Sequence, residues 1–114
     1  MVIVFKYIFH KNYVGLSIWP FIILKNKALR SDVVLLNHER IHLKQQLELL
    51  VIPFYVLYML EWIIRSVIYL NTYKAYKNIS FEREAYGNEK NLDYTKNRRP
   101  FAFIKYLWGR KENA

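Results

Sequence analysis

Blocks of hydrophobic and polar residues follow one another along the chain, and the first long block predicts a β element. Residues 13–25 (Y-V-G-L-S-I-W-P-F-I-I-L-K) are rich in β-branched and aromatic types, which favour extended structure. Pro20 lies inside this run, and proline cannot donate a hydrogen bond to a β-ladder. The run is therefore expected to form an edge strand or an extended hairpin.

The next block predicts a helix. Residues 33–50 (V-V-L-L-N-H-E-R-I-H-L-K-Q-Q-L-E-L-L) contain no Gly or Pro and consist mainly of good helix formers. Ser31 or Asp32 is a candidate N-cap, because either side chain can accept a hydrogen bond from an amide of the first turn. Pro53 is expected to kink or divide the helix.

A long apolar block continues from residue 49 to residue 70, and it predicts a helix in contact with lipid. Only Glu61 and Arg65 interrupt it, at positions i and i+4 where they can pair on one helix face. About 20 mainly apolar residues are enough to cross a bilayer. The block is expected to form a membrane-inserted or interfacial helix, and the alternative is the buried core helix of a small soluble protein.

A second, shorter helix is predicted after a polar stretch. It covers residues 81–94 (F-E-R-E-A-Y-G-N-E-K-N-L-D-Y), and Ser80 is its candidate N-cap. Glu82 and Glu84 lie in its first turn, where a negative charge suits the positive end of the helix dipole. Residues 95–114 form a basic, aromatic tail, which is expected to be a short docking helix or a surface anchor.

The composition fits one folded domain over residues 1–114. The chain has 114 residues, 54% of them hydrophobic, with only three Gly and three Pro, so it is the size of a single domain and lacks the composition of a disordered tail. The predicted fold class is mainly α with a short N-terminal β element (α+β). The predicted helices are the two described above and the long apolar helix between them.

The charge predicts an anionic partner. Eighteen Lys and Arg against nine Asp and Glu give a net charge of +9, which suits a nucleic acid or an anionic membrane. No spacing typical of RRM, KH or zinc-finger domains is present, so membrane lipids are expected as partners and nucleic acid is not. Membrane association is therefore the predicted localisation, with the cytoplasm as the alternative. Four basic residues of the tail either bind lipid headgroups or form a solvated face: Lys96, Arg98, Arg99 and Lys105.

The chain contains no cysteine, which excludes disulfides, Cys-ligated zinc and a thiol nucleophile. Its strongest chemical signal is H-E-R-I-H, formed by His38, Glu39 and His42 inside the first predicted helix. A spacing of four residues places both imidazoles on one helix face, where they can reach a single zinc ion. Glu39 can then act as the general base that activates water.

A catalytic zinc needs a third protein ligand. No His follows the motif and the remaining one, His10, lies upstream, so a carboxylate is expected to complete the site. Glu48 is six residues beyond the motif, about 9 Å along the helix axis, which is too far. Glu61 is expected to pair with Arg65. The second helix then supplies the remaining candidates, which are Glu82, Glu84, Glu89 and Asp93.

The sequence H-E-R-I-H-L-K-Q-Q, followed about 40 residues later by E-R-E-A-Y, resembles the gluzincin metallopeptidases. In that family the third zinc ligand is the first Glu of a downstream helix motif. The resemblance implies a Zn²⁺ ion held by His38, His42 and Glu82, with Glu39 as the catalytic base. Glu84 is the rival third ligand.

The segment G-L-S-I-W-P-F-I-I-L before the motif is similar to the membrane-bound gluzincins that include prenyl-protein-processing proteases and β-lactam sensor-transducers. In those proteins an edge strand precedes the active-site helix. Tyr86 differs from these families, which usually have Asp at its position. The short chain is closer in size to the minigluzincins, very small zinc peptidases known in latent form, so self-blocking by a terminal segment is the alternative that this similarity implies.

These observations together predict a membrane-associated, zinc-dependent metalloendopeptidase that acts on a peptide or protein substrate. The substrate is expected to pair as an added strand with the edge of residues 13–25. The alternative is a non-catalytic or latent protein in which the zinc is a structural staple for membrane interaction. Candidate donors to the oxyanion of the reaction are Tyr73, Tyr76, Tyr86 and Tyr94.

Overall fold

The computed structural model of the chain describes residues 1–8 and 13–107. A small sheet comes first in the chain and helices follow it. The three strands lie in the order β1-β3-β2. Their bounds are Val2–Val4 for β1, Gly15–Ile18 for β2 and Phe21–Leu24 for β3.

The central strand of the sheet is β3. It pairs in parallel with β1, where Val2 lies opposite Ile22, and antiparallel with β2, where Leu16 lies opposite Ile23. The hairpin predicted for residues 13–25 is confirmed, and β2 is an edge strand. Pro20 lies in the turn of the hairpin after a cis peptide bond, so neither strand contains it. The sequence pattern did not predict β1.

Helix α1 spans Val33–Leu49, close to the predicted bounds. Asp32 caps it, because its carboxylate accepts a hydrogen bond of 3.0 Å from the amide of Leu35. The helix ends at Leu50, whose φ of 67° lies in the left-handed region. The division expected at Pro53 therefore lies three residues earlier, and Pro53 falls in the first turn of the next helix, where proline is tolerated.

Helix α2 spans Val51–Tyr69 and Phe54 is its only buried residue. Among the described residues it is the one helix that is long and apolar enough to cross a membrane, judged by length and composition. Its exposed face is aliphatic. The large apolar residues on that face are Ile52, Val56, Leu57, Met59, Leu60, Ile63, Ile64, Val67 and Ile68.

Three short helices follow α2. They are α3 (Thr72–Asn78), α4 (Ser80–Asn88) and α5 (Tyr94–Asn97). The helix predicted over residues 81–94 is thus shorter than expected, since a turn separates α4 from α5. The polar stretch before it, for which no helix was predicted, forms α3.

Ser80 does not cap α4, contrary to the prediction. The Glu61 carboxylate of α2 does so instead, accepting hydrogen bonds from the Ser80 amide at 2.6 Å and from the Ser80 hydroxyl at 2.7 Å. Glu61 also pairs with Arg65 at 2.8 Å, as expected. A single carboxylate from the apolar helix thus holds the start of α4 in place.

The tail begins as a docked segment. A short 3₁₀ helix, Ala102–Tyr106, inserts Phe103 into the hydrophobic core beside Phe54, Ile79 and Phe81. Residues 108–114 of the predicted tail, and His10, lie outside the described residues. The chain is mainly helical with a small N-terminal sheet and one long apolar helix, which confirms the predicted fold class.

Candidate metal centre

Helix α1 carries the site because it lies between β2 and α4 and buries polar side chains on both sides. Apart from Ile41, every buried residue of this helix is polar or charged. Buried polar groups are costly unless they are bonded, so this pattern indicates a site. The buried polar residues of α1 are Asn37, His38, Glu39, His42, Gln45 and Gln46.

Three potential metal-donor atoms from α1 and α4 lie close together. His38 Nε2 lies 3.0 Å from Glu82 Oε1, and His42 Nε2 lies 3.1 Å from the same oxygen. The two Nε2 atoms are 3.2 Å apart. The side chains of His38, His42 and Glu82 are only 5–6% exposed, so the three atoms form a nearly equilateral triangle inside the protein.

This triangle fits a metal ion. Zinc bonds to His nitrogen and carboxylate oxygen at about 2.0–2.1 Å in a tetrahedron, which puts neighbouring donors about 3.3–3.4 Å apart. The observed separations of 3.0–3.2 Å need to open by only a few tenths of an ångström. His38, His42 and Glu82 can therefore hold a metal ion, with one tetrahedral position left for a ligand that is not one of these residues.

Both imidazoles are oriented by bonds at their other nitrogen. His42 Nδ1 donates to Gln45 Oε1 at 2.8 Å, and His38 Nδ1 donates to Glu89 Oε1 at 3.2 Å. In the neutral tautomer that carries its proton on Nδ1, which is the form that binds a metal, the lone pair of each Nε2 faces the centre of the triangle. The sequence pattern did not predict a role for Gln45, and Glu89 was predicted only as a candidate ligand. Because Gln45 lies three residues after His42, helical spacing could have indicated it.

Glu82 is also held in one orientation. The hydroxyl of Tyr58 on α2 donates to Glu82 Oε2 at 2.6 Å, which leaves Oε1 to face the two imidazoles. Glu82 lies one turn or less from the start of α4, where the helix dipole favours a negative charge. The apolar helix α2 thus positions the third donor of the centre.

The electrostatics of the cluster favour a buried positive charge beside Glu82. Burial lowers the pKa of His38, but hydrogen bonds to Glu82 and Glu89 outweigh it and raise that pKa to about 10. Burial alone would raise the pKa of Glu82, yet the charges of His42 and His38 and their hydrogen bonds hold it well below its usual range. An ionised Glu82 is the form that binds a metal cation.

Glu39 lies next to the cluster without joining it. Its carboxylate is buried, and burial raises its pKa while the nearby charges of His42 and His38 partly offset the shift. Glu39 lines both cavities that border the cluster, one of about 300 Å³ and one of about 190 Å³. Gly15 of β2 faces it closely, because a Cβ at Gly15 would lie 3.2 Å from Glu39 Oε2. Glu39 is therefore placed where a group in either cavity can reach it.

Glu84, the rival ligand, is committed to a different cluster. Its carboxylate accepts hydrogen bonds from Arg98, Gln45 and Tyr94. Arg98 also forms a bidentate salt bridge with Glu48, in which its two terminal nitrogens lie 2.7 and 3.0 Å from the carboxylate oxygens. Arg98 was expected to reach lipid or solvent, but its side chain is only 3% exposed, so this prediction is wrong.

The four candidate tyrosines separate into two groups. Tyr76 lines both cavities and Tyr86 lines the smaller one, and their hydroxyls are 3.1 Å apart. The ring of Tyr86 also packs against His38, with a centroid distance of 4.5 Å. Tyr94 is bonded to Glu84 away from the triangle, and Tyr73 does not line either cavity. Tyr76 and Tyr86 are therefore the tyrosines that lie beside the cluster.

Comparison with known proteins leaves the site to be interpreted from its own geometry. No protein-family model matches the chain, and neither the curated proteins nor the solved structures gave a significant match.

Proposed function

We propose that the protein is a zinc-dependent peptide hydrolase that works at a membrane surface. The observation that carries this proposal is the triangle of His38 Nε2, His42 Nε2 and Glu82 Oε1, with sides of 3.0–3.2 Å, beside a buried carboxylate and two cavities. Two imidazole nitrogens and one carboxylate oxygen are donors that zinc prefers, and three protein ligands are typical of its catalytic sites. The relationship to gluzincins implied by the sequence stays a prediction.

Zinc, when bound, would polarise the substrate carbonyl and make water more acidic. Glu39 is the residue that can move the proton, because it lines both cavities and is not a member of the donor triangle. Its carboxylate oxygens would take a proton from the attacking water and pass it to the leaving amine. Because Gly15 has no side chain, it leaves room beside the Glu39 carboxylate, where a Cβ would lie 3.2 Å from Oε2.

Tyr76 and Tyr86 support the reaction as hydrogen-bond donors. Burial raises the pKa of both hydroxyls, and the charge of Glu82 adds to the effect at Tyr76. Both phenols therefore stay protonated at neutral pH, and the hydroxyl that accepts the hydrogen bond between them keeps its own proton to donate to the oxyanion on the substrate carbonyl. The proposal assigns this role to the Tyr76–Tyr86 pair rather than to Tyr73 or Tyr94.

The membrane part of the proposal rests on the two faces of α2. Its inward face carries aromatic and charged residues, among them Tyr58, Glu61 and Arg65, which bond to the rest of the protein. At 100° per residue, the exposed aliphatic residues cover about half of the helix circumference. A patch of this kind, in a chain of net charge +9, is suited to lipid and not to water.

Metal content and the role of Glu39 test the hydrolase proposal together. The protein, purified in a mild detergent, is expected to bind about one zinc ion per chain. Glu39→Gln should keep the zinc but lower hydrolysis of an unfolded test protein by about a hundredfold to ten-thousandfold, as expected for loss of a general base. Lys44→Ala is the matched control, since Lys44 is an exposed residue of the same helix.

Two results would contradict the proposal. One is a folded protein that binds no zinc, and the other is a Glu39→Gln variant that hydrolyses the test protein as fast as the unchanged chain. Zinc binding without hydrolysis in the unchanged chain would instead favour the non-catalytic or latent staple.

A further inference from the structure

The free edge of β2 is the only part of the described sheet that borders the candidate site. The carbonyl of Val14 accepts a hydrogen bond of 3.0 Å from the amide of Lys25, so the even-numbered residues of this strand pair with β3. In an antiparallel ladder the intervening residues point the other way. The peptide groups of Gly15, Ser17 and Trp19 therefore face away from β3.

One half of this edge is already occupied. Gln46 Oε1 accepts a hydrogen bond of 2.6 Å from the amide of Trp19, and Gln46 Nε2 donates to the carbonyl of Ser17 at 2.9 Å. The hydroxyl of Tyr55 donates to the same carbonyl. One donor and one acceptor are what a neighbouring strand would offer here, and Gln46 is fully buried. The edge is thus closed from Ser17 onward.

Ser17 and Gly15 both line the larger cavity, but only the Gly15 half of the edge also borders the smaller one. Gly15 lines both cavities, together with Glu39. The larger cavity extends along the His42 side and is bounded by α2, through Phe54, Tyr55, Tyr58 and Trp62. The smaller cavity extends along the His38 side. An extended chain that passes Glu39 can therefore pair with β2 at Gly15 but not at Ser17.

We propose that this closed edge restricts hydrolysis to bonds near a chain end. This inference rests on the proposed function and limits the hydrolase to bonds near a terminus, in contrast to the endopeptidase expected from the sequence. Two residues of strand, about 6.6 Å, separate Gly15 from the groups held by Gln46 and Tyr55. On the His42 side of the cleaved bond, the cavity therefore accommodates about two substrate residues. Beyond them the substrate would collide with Gln46, Tyr55 and the wall formed by α2.

Linear and cyclic peptides of the same sequence test the inference. A linear peptide is expected to be cut within about two residues of one terminus. Its head-to-tail cyclic form has no end, so it cannot pair with Gly15 without also meeting the closed edge at Ser17. The cyclic peptide should therefore react at least about tenfold more slowly. Mass spectrometry of the products locates each cut. A cyclic peptide cleaved as fast as the linear one, or cuts spread through the middle of the linear peptide, would overturn the inference while leaving the hydrolase proposal intact.

Opening the edge should relax the restriction. The double variant Gln46→Ala/Tyr55→Phe removes the amide and the hydroxyl that bond to the Ser17 carbonyl but keeps the wall formed by α2, so some internal cuts and some cleavage of the cyclic peptide are expected to appear. Leu47→Ala, on the exposed side of α1, is the control and should keep terminal cleavage. A folded double variant that still cuts only at the ends would contradict the role given to Gln46.

A binding measurement keeps the inference testable without hydrolysis. In the Glu39→Gln variant, the amide resonance of Gly15 is expected to shift when a linear tripeptide is added and to stay in place with the cyclic peptide. An equal shift with both peptides, or none with the tripeptide, would overturn the inference. This result does not depend on whether the unchanged chain is an active enzyme.

Discussion

Helices α1 and α2 are neighbours in the chain, but they bury opposite kinds of side chain. Of the seven residues that α1 buries, only Ile41 is apolar. Helix α2 buries Phe54 alone and exposes a face of aliphatic residues such as Ile63 and Val67, which are 54% and 70% exposed. Water and hydrophobic burial by themselves would produce the reverse pattern in both helices.

The difference shows that the environment of each helix determines which side chains it buries and which it exposes. The inside of α1 is polar because its side chains form a candidate metal centre and bond to β2, to α4 and to the turn after α4. In the described ranges, 1–8 and 13–107, no buried side-chain nitrogen or oxygen lacks a partner. The outside of α2 is apolar because, in our proposal, it faces lipid. Unfolding free energies can test this comparison. Substitutions that break the buried polar contacts of α1 and α4 should lower the unfolding free energy far more than substitutions on the outer face of α2.

The largest effect is expected at Arg98. Arg98→Met removes the cation that pairs with Glu84, which is 0% exposed, and with Glu48. Loss of one partner from a buried ion pair leaves an uncompensated charge and costs about 3–5 kcal/mol. Guanidinium unfolding monitored by tryptophan fluorescence measures the change.

Arg99→Met is the matched control for this substitution. Arg99 is the exposed neighbour of Arg98, and a change at an exposed site is expected to alter the unfolding free energy by no more than about 0.5 kcal/mol. Equal costs at Arg98 and Arg99 would mean that the buried polar cluster does not stabilise the fold.

Zinc should stabilise the folded chain by the next largest amount. Because the three ligands come from α1 and α4, only the folded protein assembles them, and zinc at a hundred times its dissociation constant adds about 2.7 kcal/mol. His42→Ala should abolish this gain, whereas Arg40→Ala, at an exposed position of α1, should keep it. The measurement is the unfolding free energy with zinc and with a chelator. Stabilisation that persists in His42→Ala would place the ion elsewhere.

Gln45 should have a smaller but specific effect on the same ion. Gln45 Oε1 accepts a hydrogen bond from His42 Nδ1, and its amide group donates to Phe81 and Glu84. Gln45→Leu keeps a side chain of similar size but frees the imidazole, so zinc affinity is expected to fall about tenfold to a hundredfold. Competition with a fluorescent zinc chelator measures it. An unchanged affinity would show that the ring of His42 is fixed by packing alone.

Much of the candidate centre could be predicted because helical spacing is a local property. The four-residue spacing of His38 and His42 places them on one face in any α-helix. Glu82 could be proposed from the resemblance to gluzincins, since the acidic residues of the second helix were otherwise equivalent candidates. The structure brings these three together and commits Glu84 to Arg98 instead.

The remaining features depend on contacts between distant segments, which local patterns do not encode. Strand β1 is only three residues long and is defined by its pairing with β3. The carboxylate that starts α4 comes from Glu61, nineteen residues upstream of Ser80, so Ser80 looked like the cap by sequence. Arg98 looked like a surface cation because its two partners, Glu48 and Glu84, are 50 and 14 residues away.

The smallest effect on folding, and the sharpest test of the comparison, is expected on the outer face of α2. Ile63→Glu changes a side chain that is 54% exposed, so the unfolding free energy should shift by no more than about 0.5 kcal/mol. In a lipid-facing position the same charge costs about 2.5–3.5 kcal/mol at the centre of an inserted helix, so binding to vesicles containing anionic lipid should fall at least about tenfold. Leu92→Glu, at an exposed position outside this helix, is the control for charge and should bind as the unchanged chain does. If both variants sediment equally well with vesicles, α2 is exposed for a reason other than lipid contact, and the contrast between the two helices loses its physical basis.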